Sequence, residues 1–170
     1  MKHKFEPITT FVLDIDGVLT DGSVLVTLHK TAFLCSRQIP ASAVLKCYDW
    51  AIAMREENKC VISGFHSQIE KDVLHYLLKG TQPIIVVLAR GLKQKIEKEF
   101  ITALGQGRLL IITPFENSIT RVSKKTAAIR NQFMAMLAND LVLGYKKDGG
   151  ELDALLKIEI VAQKSKIILS

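Results

Sequence analysis

Short aliphatic runs alternate along the chain with longer stretches in which apolar positions recur every three or four residues. Residues 11–15, 24–27, 32–35, 60–63, 84–88, 109–112 and 141–144 predict strands. Most are apolar at successive rather than alternate positions, the pattern of a parallel sheet covered on both faces. Between them, 41–57, 68–78, 93–104 and 123–138 carry the helical period. In the first of these helices Val44, Leu45, Tyr48, Ile52 and Met54 are expected to point inward. Pro40-Ala41-Ser42 supplies its start signal, and Gly80 ends the next helix. The tail 157–170 reads as a further strand pair or a docked edge. A β-α-β-α order implies right-handed crossovers and one open, mainly parallel sheet.

Composition narrows the class. The chain has 170 residues, 48% of them apolar and 24% charged, which suits one globular domain with a sizeable core. The expected architecture is therefore α/β: a single-domain, Rossmann-like three-layer sandwich. Residues 1–30 are read as an N-terminal strand or hairpin segment carrying the motif at 11–22, and 31–170 as the Rossmann-like body, the two expected to form one compact unit. The longest apolar run, 83–89, is far below the ~18 residues that span a bilayer, so no membrane partner is expected. The basic start has no apolar segment after it, so no signal peptide is expected. Cys35, Cys47 and Cys60 lack a Cys-x-x-Cys spacing and read as buried thiols of a reducing compartment, hence a cytoplasmic location.

The net charge of +6 matters mainly for where it lies. Lys93, Lys95 and Lys98 read as a solvated helix face, whereas Arg121, Lys124, Lys125 and Arg130 cluster around one helix start and would attract phosphate or nucleic acid. Ligands of open α/β sheets bind beyond the carboxyl ends of the strands. Four such ends carry useful chemistry: Asp14/Asp16, Ser36/Arg37, the run Ser63-Gly64-Phe65-His66-Ser67, and 145–148 with Gly149-Gly150. A Ser-Gly turn into a helix lets backbone N–H groups approach a phosphate at the helix's positive end. Ser36, Arg37 and Arg130 can add charge-assisted hydrogen bonds, Asn131 an amide directed at a base or ribose, and Phe65 and His66 a stacking surface. His75 and Trp50 read as structural, as do Met134 and Met136.

Two resemblances divide the chain. The stretch Phe11-Val-Leu-Asp-Ile-Asp-Gly-Val-Leu-Thr-Asp-Gly resembles the first motif of the haloacid dehalogenase phosphatases, most closely the cap-less sugar-phosphate phosphatases. That resemblance implies Asp14 as nucleophile and Asp16 as acid/base, with Ser63, Lys125, Asp148 and Asp153 completing the set. Mg²⁺ would be held by Asp14, Asp16 and Asp148. Gly149-Gly150 departs from that family's Gly-Asp-Asp element.

From Thr31 to Leu152 the chain resembles the Rossmann domain of the DNA-processing protein A (DprA/Smf) group. Five ordered stretches carry the likeness: 32–37, 61–70, 80–92, 107–115 and 128–143. The resemblance implies a binding protein for a nucleotide or single-stranded nucleic acid, with the phosphate at Ser63-Gly64 and no cofactor. Its ligand contacts would be Ser36, Arg37, Ser63, Gly64, Phe65, His66, Ser67, Arg130 and Asn131, and a homo-oligomer is compatible with it. The family's Gly-Gly-Ala-Arg-Gly is here Gly64-Phe65-His66-Ser67-Gln68, its Asp is Glu70, and the second Arg of Arg-Asn-Arg is Gln132. These changes imply an altered phosphate pocket. The DprA-like binder is the leading reading and the phosphatase the alternative. The first places 32–35 and 60–63 at the sheet centre; the second requires the Asp14 strand there.

Overall fold

A computed structural model of the protein describes residues 28–57, 59–92 and 96–169. The strands are β1 (Lys30–Leu34), β2 (Cys60–Ser63), β3 (Ile84–Val87), β4 (Leu109–Ile112), β5 (Asp140–Leu143) and β6 (Ser165–Ile168). Helices α1 (Ala41–Ala53), α2 (Gln68–Leu78), α3 (Ile101–Gly105), α4 (Lys124–Leu137), α5 (Glu151–Leu156) and α6 (Glu159–Ala162) connect them. The described sheet has six strands in the order β4-β3-β2-β1-β5-β6, and every pairing is parallel. The fold is thus the expected Rossmann-like sandwich, with β1 and β2 at its centre. The expected strands 11–15 and 24–27 lie outside the described residues.

Side-chain alternation divides the core in two. Phe33, Val61, Val86, Ile111 and Val142 face α1, α2 and α3. Ala32, Leu34, Ile62, Ile85 and Leu141 face Met134 and Ala135 of α4, Leu152 and Leu155 of α5, and Val161 of α6. This follows from the order of travel. The chain moves outward from β1 to β4, then returns to β5 beside β1, so right-handed crossovers put the later helices on the opposite face.

Two expectations are corrected. Helix α1 buries Ala43, Cys47 and Ala51, while Leu45 and Ile52 are 64% and 45% exposed. The small stripe faces inward because the chain behind it approaches closely: a β-carbon at Gly144 would lie 2.7 Å from Cys47 Sγ. The ring of Phe33, stacked on Trp50 at 5.0 Å, already fills the remaining space. The expected helix 93–104 shrinks, among the described residues, to a 3₁₀ turn at Lys98–Phe100 and the five residues of α3. The segment before it is held elsewhere, with Gly91 N–H donating to Ile119 O (2.8 Å) and Leu92 N–H to Asn117 Oδ1 (3.0 Å). These tertiary bonds outweigh a weak helical preference. Of the two readings of the tail, the structure shows the docked edge: residues 159–162 form α6, and the single strand β6 pairs beside β5.

All three cysteines are free and buried. Burial pushes the Cys60 thiol up to about 12. A hydrogen bond to Cys47 together with burial holds Cys35 above its usual range. No described helix is long and apolar enough to cross a membrane.

The fold makes a direct stability prediction. Phe33 is fully buried, and Trp50 is the chain's one tryptophan, so its fluorescence reports on the contact between them. Phe33→Ala should cost about 3–5 kcal/mol in urea unfolding followed by that fluorescence. A loss below ~1 kcal/mol would show that the stack is not part of the core.

Candidate functional site

The strand order reverses between β1 and β5, and a cleft of about 500 Å³ opens over the carboxyl ends of the sheet there. Four parts of the chain build it. The segment after β1 brings Ser36 and Arg37; the β2–α2 turn brings His66 and Ser67. Helix α4 brings Lys124, Arg130 and Asn131, and the β5–α5 connection brings Lys147 and Glu151. Ser36 joins the two sides of the switch. Its N–H donates to Tyr145 O (2.9 Å), and its Oγ accepts from Lys147 N–H (3.0 Å).

The β2–α2 turn is organised from below. Ser63 is fully buried, and its hydroxyl donates to Phe33 O (2.8 Å), tying β2 to β1 rather than facing the cleft. Phe65 has φ 44°, a left-handed conformation that disfavours side chains, and the matching position of the DprA group is glycine. Burying the ring offsets that strain: Phe65 is 6% exposed and packs in the core. It is therefore not a stacking surface for a ligand, which corrects that expectation.

Two amides of the turn just beyond Ser63-Gly64 already have an anionic partner within the chain. His66 N–H and Ser67 N–H both donate to Glu70 Oε2, at 2.9 and 3.0 Å. Ser67 Oγ accepts in return from Glu70 N–H (3.4 Å), completing a capping box at the start of α2. Glu70 is 5% exposed. The turn's N–H groups at His66 and Ser67 are thus committed within the chain, and the cationic side chains Arg37, Lys124, Arg130 and Lys147 line the cleft beside it.

Arg130 dominates those cations. It is 4% exposed, yet no described carboxylate lies within ion-pair distance of it. Its Nε donates to Asn131 Oδ1 (2.9 Å) and its Nη1 to Val87 O (3.5 Å). Burial disfavours its charge, the carboxylate of Glu70 opposes that effect, and neighbouring Arg37 adds to it. The guanidinium lies flat against Gly64, where a β-carbon would sit 1.3 Å from Nη1. Gly64 is thus a packing requirement of Arg130. Burial, and next the positive charge of Arg130, also lower the pKa of exposed His66 below its ordinary value.

Of the residues expected to bind ligand, the structure gathers Ser36, Arg37, His66, Ser67, Arg130 and Asn131 in one cleft, and places Ser63, Gly64 and Phe65 beneath it. Sequence reasoning missed Glu70, although Ser67-x-x-Glu70 is a readable capping-box pattern. Lys147 lies in the 145–148 strand end marked from the sequence without being named as a ligand contact, and the β1–β5 pairing brings it into the cleft.

Of the phosphatase set, Asp14 and Asp16 lie outside the described residues. The Asp148 side chain is 97% exposed and pairs with Lys146 at 3.0 Å, while Asp153 accepts from Lys146 Nζ (2.5 Å) and from Gly149 N–H. Among the described residues no group of three His, Cys, Asp or Glu side chains is placed to hold a metal ion.

Solved structures match this architecture. The chain is similar to DNA processing protein A from Helicobacter pylori, a protein described as binding single-stranded DNA, with TM-score 0.68 and 12% identity over 95% of this chain and 80% of that one. It is also similar to DprA from Streptococcus pneumoniae, with TM-score 0.61 and 13% identity over 84% of this chain and 59% of that one. The chain has a DprA-like Rossmann fold. No family model and no curated protein matches it by sequence. The fold places the cleft where doubly wound sheets bind their ligands, at the reversal of strand order.

The Gly64–Arg130 contact is testable without a ligand. Gly64→Ala should destabilise the protein by about 1–3 kcal/mol in urea unfolding, because the added methyl displaces the guanidinium. Adding Arg130→Ala should recover part of that loss. Strict additivity in this double-mutant cycle would show that the two residues do not touch.

Proposed function

We propose that the protein binds single-stranded nucleic acid or a nucleotide, with a phosphate on Arg130 in the cleft at the strand-order reversal. The observation that carries this reading is the buried guanidinium, which has no carboxylate within ion-pair distance among the described residues. An unpaired buried charge costs several kcal/mol, and a phosphate entering the cleft would offset that cost. A guanidinium also presents a planar fork of donors that matches phosphate oxygens. Arg37, Lys124 and Lys147 stand around the same opening. The solved DprA from H. pylori, which has this fold, is described as binding single-stranded DNA. Nothing in this role calls for a metal ion or an organic cofactor.

The test is fluorescence anisotropy with a labelled single-stranded oligonucleotide across a salt series. Four cationic side chains line the cleft. With all four engaged, the slope of log K against log[salt] should approach about −3. Lys124→Ala should reduce its magnitude by about 0.7 and weaken binding evenly across sequences. Arg130→Gln should weaken binding at least tenfold while far-ultraviolet circular dichroism stays unchanged. Absent or salt-independent binding would overturn the reading.

A second expectation concerns pH. In the free protein His66 faces Arg130, Glu70, Lys71 and Arg37, and its pKa is lowered, so the neutral ring dominates at pH 7. A bound phosphate favours the charged ring and raises that pKa. Binding then takes up a proton, and affinity should rise as pH falls below the ordinary histidine value of about 6.5. His66→Gln should flatten this profile between about pH 7 and 5.5. An unchanged profile in His66→Gln would remove His66 from the binding site.

A further inference from the structure

A second concavity, of about 300 Å³, opens on the neighbouring face of α4, between that helix and α5. Its walls are apolar: Ala128 and Ile129 from α4, with Ala154, Leu155 and Ile158 opposite. Asn131 and Glu151 line both this groove and the anion cleft, so the two spaces meet at those residues. We propose that this groove seats a nucleobase of the strand whose phosphate lies on Arg130, an inference that rests on the binding function proposed above.

Charge decides what can pass the junction. In the cleft Arg37, Lys124, Arg130 and Lys147 face two carboxylates, those of Glu70 and Glu151. In the groove the charged side chains are Lys125 and Glu151, and the walls between them are aliphatic. The Glu151 carboxylate at the meeting point repels a second phosphate, so a polyanionic strand keeps its backbone in the cleft. The part that turns into the groove is uncharged, flat and able to form hydrogen bonds at its edge, which describes a base.

The groove's rim has the matching groups. Asn131 uses its Oδ1 to accept from Arg130 Nε (2.9 Å), which leaves its NH₂ to donate. Gln132 adds a second amide, and Glu151 is an acceptor suited to an exocyclic amino group. Arg130 thus fixes the neighbouring amide while holding the phosphate, coupling the two halves of the site. Among the described residues no aromatic side chain lines the groove, so the base is held by aliphatic faces rather than by ring stacking. Ile129, 37% exposed in the free protein, is the face that gains most cover.

The experiment compares a decathymidylate with a strand of ten abasic residues carrying the same phosphates, both by anisotropy at one salt concentration. The wild-type protein should prefer the base-bearing strand by about tenfold, the gain expected from burying roughly 55 Å² of base surface on the aliphatic walls. Ile129→Ala and Gln132→Ala, both at partly exposed helix positions, should each cut that preference below about threefold. Ile101→Ala, a change at an exposed isoleucine of α3 away from the groove, should leave it intact. Equal wild-type affinity for the two strands would overturn the base seat while leaving the phosphate site standing. A preference that survives in both groove variants would place base recognition elsewhere and also overturn it. Failure to bind either strand would remove the binding function and this inference together.

Discussion

The guanidinium of Arg130 lies against the bare backbone of Gly64, and the floor of the cleft is arranged around that contact. Gly64 has no side chain because Arg130 occupies the space. Ser63, one residue earlier, turns its hydroxyl into the sheet. Phe65, one residue later, adopts a left-handed conformation that drops its ring into the core. Glu70 then closes the turn by accepting from His66 and Ser67. The result is a buried cation on a rigid bed, with a carboxylate close enough to moderate its field but committed to backbone amides. Such preorganisation limits the conformational entropy lost when an anion binds.

The division of labour differs from the usual helix-terminus site. Where a glycine-rich turn is open, an incoming phosphate takes the amide donors and the helix dipole directly. Here the turn's own Glu70 holds the donors at His66 and Ser67, and side-chain charge substitutes for the backbone. The changes at 65–68 relative to the DprA pattern thus have a common physical meaning. In this chain the turn is closed and self-capped, with Glu70 accepting from His66 and Ser67.

The sheet was legible because buried parallel strands are continuous apolar runs, and runs such as 84–87 and 109–112 have no competing reading. The cleft was legible in part because ligands of such sheets gather at strand ends, which pointed to Ser36, Arg37 and the 63–67 turn. Val44, Tyr48 and Met54 do pack on the core as their spacing implies, but Leu45 and Ile52 face outward, and only the closeness of Gly144 and Phe33 shows that Ala43, Cys47 and Ala51 form the buried stripe. Residues 93–104 have a helical period, but hydrogen bonds from Gly91 and Leu92 to a distant loop redirect the chain. Phe65 was assigned to ligand because an aromatic residue beside a Ser-Gly turn invites it, and its backbone angle cannot be read from composition. Lys147 enters the cleft only through pairing between distant strands, which no local pattern records.

That pairing has a consequence for assembly. Thr31 is aligned with Asp140 and Leu34 with Leu143, so the two walls of the cleft are joined by strands more than a hundred residues apart in the chain. The first four strands can pair in succession as they leave the ribosome, with one edge of β1 still unclaimed. The cleft comes into being only when β5 fills that edge and carries Lys147 and α5 into place. A ligand bridging Arg37 and Lys147 would act as a clasp on the final step of folding, tightening the longest loop closure in the described fold. The cleft is then a property of the completed sheet, and a fragment that lacks β5 has only one of its two walls.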